Sequence, residues 1–174
     1  METQPLRSLP LLSILLLFSP FFATTYAAET GKPLITKTCN RTYYPEDCVK
    51  ALESDPRSSN ADMPTLARIS MEVSSSKVKK GYPEVREWTL KASDYLTWAM
   101  YSACTANYNQ SIADMNMGLR LFDGKEYKDA LSKVVAVNSA VVTCNNFNLA
   151  PISQLNGALI ALTNNTGTIL SLLF

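Results

Sequence analysis

Between Leu96 and Phe122, apolar side chains recur at every third or fourth residue: Leu96, Met100, Cys104, Tyr108, Ile112, Met115, Leu119 and Phe122. A strand would alternate with period two, whereas this spacing lays one stripe along a long α-helix. Asp123-Gly124 interrupts it, and Tyr127, Leu131, Val134, Asn138 and Val141 resume the same rhythm. Each stripe must find a partner or stay in water. Joined by so short a break, the two predict an antiparallel helical hairpin. Asn138 is the polar member of the second stripe and needs a hydrogen-bond partner if buried.

The chain has four cysteines, Cys39, Cys48, Cys104 and Cys144. An even number in a secreted chain predicts two disulfides, and the spacings fit no zinc pattern. The hairpin selects among the three pairings. Cys104 lies twenty residues before Gly124 and Cys144 twenty after it. Each arm rises about 30 Å, so the two come level. A Cys104–Cys144 bond would staple the far end of the hairpin. That leaves Cys39 to pair with Cys48 across the turn at Thr42-Tyr43-Tyr44-Pro45.

The other segments also read as helices. Residues 34–54 form two short pieces, with Pro45, Glu46 and Asp47 suited to the first turn of the second. Ser54–Asn60 is a loop by composition. Asp62 is an N-cap with Pro64 just inside the helix, which carries Leu66, Ile69 and Val73 on its buried stripe. Gly81 and Pro83 are expected to end that helix, with a shorter one over 84–92. Pro151 opens the last helix, carrying Ile152, Leu155, Leu159, Leu162 and Ile169. Its final turns are expected to be weakened by Asn164-Asn165-Thr166-Gly167. The expected helices span 62–80, 94–122, 126–145 and 151–172. The fold class is all-α: an antiparallel four-helix up-and-down bundle over 61–173, preceded by an N-terminal α-hairpin over 32–55, with two disulfides.

Residues 1–27 have the layout of a secretory signal peptide: an apolar run from Leu9 to Phe22, then small residues at Thr25 and Ala27. The run is too short and too broken by proline for a membrane span. Residues 28–174 are left as one domain, with no membrane partner after cleavage. The net charge of +1 gives no basic stripe for nucleic acid. The chain contains no histidine, which removes Ser-His-Asp and Cys-His catalysis and the common zinc sites. No catalytic residue, metal or cofactor is expected. Sequons at Asn40, Asn109 and Asn164 make these glycosylation candidates.

Several blocks together resemble the plant invertase and pectin methylesterase inhibitors. They are Cys39-Asn-Arg-Thr-Tyr-Tyr-Pro-Glu-Asp-Cys48, then Leu52, Asp55-Pro56, Ala61-Asp62 and Leu66-Ala67. Cys104 with Tyr108, Lys125-Glu-Tyr127 with Ala130, Ser139–Cys144, Phe147 and the Leu155-Asn156-Ala158-Leu159 helix complete the set. The resemblance implies a four-helix bundle behind an α-hairpin, disulfides joining first to second and third to fourth cysteine, and an enzyme inhibitor rather than an enzyme. Two details depart from the pattern: Thr105 follows the third cysteine where many relatives are acidic, and Val137-Asn-Ser-Ala-Val-Val precedes the fourth.

Invertase inhibitors of this family present a Pro-Lys-Phe motif at the hairpin tip. Here the tip reads Gly124-Lys125-Glu126-Tyr127, which lacks the proline and inserts a glutamate. Pectin methylesterase inhibitors use polar faces of bundle helices. Asn107, Asn109, Gln110, Asp114 and Asn116 lie off the apolar stripe and supply such a face. The target-binding candidates are therefore Lys125, Glu126 and Tyr127 at the tip, and Asn107, Gln110 and Asp114 on the helix. The expected partner is a plant pectin methylesterase in a 1:1 complex that covers its active site in the cell wall. Acid invertase, in the wall or vacuole, is the alternative. A secreted helical protein without inhibitory activity is the second alternative.

Overall fold

The computed structural model describes residues 29–174. The signal-peptide reading lies outside them. Two short helices, α1 (Gly31–Cys39) and α2 (Pro45–Glu53), lead through a 3₁₀ turn at Pro56–Asn60 into four long ones. These are α3 (Met63–Lys91), α4 (Tyr95–Asp123), α5 (Tyr127–Asn145) and α6 (Ala150–Ser171). No strand occurs among the described residues. Helix α4 packs between α3 and α5, α5 against α6, and α6 closes the ring against α3. The fold is all-α, as the stripes require.

The helix starts follow local chemistry. Asp62 Oδ1 accepts the Thr65 N–H at 2.9 Å, and Asp94 Oδ1 accepts the Thr97 N–H at 2.9 Å. Each satisfies an amide that has no partner within its own helix. Hydrogen bonds from Thr65 and Thr97 hold both carboxyls below the usual aspartate range. Pro45, Pro64 and Pro151 sit in first turns, where a missing N–H costs nothing. Gly31 has φ +63, and a Cβ there would lie 2.1 Å from the Ser59 carbonyl oxygen. This glycine lets α1 start flush against the 3₁₀ turn.

Four expectations are corrected. Helix α3 does not end at Gly81 and Pro83 but continues to Lys91, absorbing the expected 84–92 segment. A proline inside a helix costs about 3 kcal/mol. Pro83 is exposed, while Val78 and Val85 on either side of it are fully buried. Tertiary burial of the flanking turns outweighs the local penalty. Gly81 serves packing instead: a Cβ there would meet Tyr108 and Leu155 at 2.9 Å.

Leu96 is 67 % exposed rather than on the buried stripe. Helix α5 ends at Asn145, beside the level of Cys104, so the first turns of α4 extend past their partner. Part of the 54–60 loop is ordered as the 3₁₀ turn, with the Ser58 hydroxyl donating to Leu52 O at 2.6 Å. The last turns of α6 are intact because their polar side chains are used internally. Thr166 Oγ1 lies 2.7 Å and 2.9 Å from the Ser70 and Ser74 hydroxyls, all three buried.

Candidate functional site

Cys104 pairs with Cys144 (Cα–Cα 5.3 Å), and Cys39 with Cys48 (5.5 Å). The first bond ties α4 to α5 at the end remote from Gly124. The second closes the α1–α2 hairpin. All four cysteines are buried and none is free.

The tip between α4 and α5 is a Schellman turn. Glu126 N–H donates to Leu121 O and Lys125 N–H to Phe122 O, both at 2.9 Å. The left-handed residue of the turn is Lys125, with φ 63, while Gly124 one position earlier is right-handed. A non-glycine residue in that region is strained. Lys125 and Glu126 are exposed, but Tyr127 is half-buried, with its ring 5.1 Å from Phe122. The tip flanks a shallow groove of about 320 Å³ that also includes Lys128, Asp129 and Phe174.

The helix-face candidates gather along the outer seam between α4 and α5. Asn107 Nδ2 donates to Ala140 O at 3.4 Å. Asp114 accepts from Gln110 Nε2 at 3.2 Å and from Lys133 Nζ at 3.3 Å. These bonds orient amide and carboxylate groups in a row while leaving Gln110 exposed. Asn109 projects away from the row and is exposed. Ten residues separate Asp114 from Gly124, about 15 Å of helix rise. The tip and the seam therefore lie about three helical turns apart on one hairpin. Asn138 is half-buried, and its Oδ1 accepts from Thr163 Oγ1 at 2.8 Å.

Two surface features escape a reading by periodicity. Leu90, Tyr95, Leu96 and Trp98 are exposed together where α3 hands over to α4, with the Tyr95 and Trp98 rings 5.8 Å apart. The other is a chain of ion pairs. Arg57 reaches Asp55 and Glu72 at 2.5 Å each, Arg68 reaches Glu72 at 3.0 Å, and Arg68 also pairs with Asp123. It links the 3₁₀ turn, α3 and the end of α4, and only its Arg68–Glu72 pair has a helical i,i+4 spacing legible in the sequence.

Among the described residues no cluster of histidine, cysteine, aspartate and glutamate could hold a metal ion. None of their helices is long and apolar enough to cross a membrane.

Residues 33–168 match the family described as plant invertase/pectin methylesterase inhibitor. A pectinesterase inhibitor of Actinidia deliciosa is 26% identical over 136 residues, 78% of this chain and 73% of that one. A cell wall/vacuolar inhibitor of fructosidase from Arabidopsis thaliana is 27% identical over 139 residues, 78% and 77% of the two chains. In fold, the chain is similar to a crystallised mutant of an Arabidopsis pectin methylesterase inhibitor. The TM-score is 0.70 at 15% identity, over 79% of this chain and 95% of that one. The bundle, the disulfide pairs and the match over 33–168 agree, and the chain belongs to the plant invertase/pectin methylesterase inhibitor family, whose members are inhibitors of enzymes rather than enzymes.

Proposed function

We propose that this chain is a secreted inhibitor of pectin methylesterase that acts in the plant cell wall by lying across the enzyme's substrate cleft. The observation that carries the choice of target is the position of Tyr127. Its ring packs against Phe122 instead of standing free at the hairpin tip. The aromatic of the tip itself is thus half-buried rather than presented beside its lysine. The α4–α5 seam offers an ordered row of polar groups, Asn107, Gln110 and the Asp114–Lys133 pair, on a hairpin stapled by Cys104–Cys144. A surface held rigid before binding loses less entropy on complex formation, which favours steric inhibition. The complex is 1:1, and no covalent step is involved.

One observation favours acid invertase as a second reading: Lys125 is exposed and held in a strained left-handed conformation. Such strain gathers at functional positions.

Titrating the purified protein against a plant pectin methylesterase and an acid invertase, at the acidic pH of the wall, separates the readings. Inhibition of the esterase by micromolar protein is expected, weakened by Gln110→Ala at unchanged melting temperature. Inhibition of invertase alone transfers the function to the second reading. Inhibition of neither leaves a secreted helical protein with another role.

A further inference from the structure

The structure sorts the three sequons. Asn164 is half-buried, and its Nδ2 donates to Ile160 O at 2.9 Å. Asn40 and Asn109 are both exposed. Asn109 is flanked on its own face by Ala106 and Ala113, exposed side chains too small to obstruct a sugar.

Its sequon partner supplies a second observation. Ser111 is 1 % exposed, and its hydroxyl has no hydrogen-bond partner among the described residues. A buried, unpaired hydroxyl is a liability for folding, and alanine would fill the place without it. A sequon hydroxyl is read before the helix packs, so burial of Ser111 in the folded chain is compatible with use of the site.

Consecutive residues on an α-helix point about 100° apart. Gln110 lies toward α5 with its Asp114 partner. Asn109 therefore projects on the α3 side of the outer face. The register of α3 on α4, set by Gly81 against Tyr108 and Thr89 against Thr105, brings Lys79 and Lys80 level with it.

We propose that Asn109 carries an N-linked glycan, which roofs the outer α3–α4 seam and leaves the α4–α5 seam open for the target. The placement of the target rests on the function proposed above; the attachment site does not.

The test expresses the full chain through the secretory pathway of plant leaf cells. Glycopeptide mass spectrometry maps each sequon, using Asn109→Gln and Ser111→Ala as two independent removals. Expected results are occupancy at Asn109, loss of one glycan in either variant, and no occupancy at Asn164. Cleavage after Lys79 and Lys80 by trypsin should be slower in the glycosylated protein than in Asn109→Gln. Inhibition of the esterase should agree between glycosylated protein and variants within about twofold, well inside the tenfold that corresponds to about 1.4 kcal/mol. An unmodified Asn109, or a glycan at Asn164, overturns the assignment. Inhibition weakened tenfold or more by the glycan overturns the placement. If no form inhibits either enzyme, the proposed function falls, while occupancy and trypsin protection still decide the glycan site.

Discussion

Tyr108 Oη donates a 2.8 Å hydrogen bond to Asn156 Oδ1 inside the bundle, joining α4 to α6. Both residues are buried, and Asn156 Nδ2 has no partner among the described residues. Burial, with the nearby Glu84 charge adding to it, pushes the Tyr108 phenol above the ordinary tyrosine range.

Tyr108→Phe should cost about 1–3 kcal/mol in urea unfolding, because it orphans the Asn156 oxygen. Adding Asn156→Leu should recover part of the loss, because no polar group then remains unpaired. The phenol has its pKa raised in the folded state. Its contribution is therefore complete below the unfolded value of 10.0 and declines as pH climbs past it toward the folded value. Tyr108→Phe should flatten that alkaline loss.

One side-chain amide of α6 clamps the turn of the α1–α2 hairpin, whose Ile35 and Leu52 are buried in the core. Asn165 Oδ1 accepts from Tyr44 N–H at 3.1 Å and Nδ2 donates to Tyr44 O at 2.8 Å. Asn165→Ala should destabilise by about 1–2 kcal/mol. Hydrogen exchange should quicken across residues 31–53 while α3 to α5 keep their protection. Uniform loss of protection would contradict a local clamp.

The Cys104–Cys144 bond closes a sequence separation of 40 residues. Replacing both cysteines by serine should cost about 2–5 kcal/mol. In a variant that still folds, inhibition should weaken, because the seam lies on the stapled hairpin. Full potency in the folded variant would assign the bond to stability alone.

Lys125→Gly should raise stability slightly. Relief of the left-handed penalty, about 1–2 kcal/mol, outweighs the extra freedom of glycine in the unfolded chain, about 0.4–1 kcal/mol. Esterase inhibition should be unchanged. A loss of invertase inhibition would mark the strained lysine as a contact.

The periodicity of Leu96–Phe122 and Tyr127–Val141 carried most of the bundle, because stripes at helical spacing leave few ways to bury themselves. The breaks at Gly81, Pro83 and Asn164–Gly167 misled for a shared reason. Local propensity is worth a few kcal/mol, and each break lies where neighbouring turns are buried or polar groups are paired. The candidate site was less legible. Asn107, Gln110 and Asp114 could be placed off the apolar stripe, but their common seam depends on Ala140 and Lys133 of the next helix.

The sequence by itself determined the all-helical class, the hairpin about Gly124 and the level of Cys104 with Cys144, because these follow from rise per residue and stripe spacing. Tertiary structure alone decided that α3 runs unbroken through Pro83, that Leu96 is left in water and that Tyr127 turns onto Phe122. Those outcomes depend on which helix ends where beside its neighbour, and no pattern within one segment encodes where its partner stops.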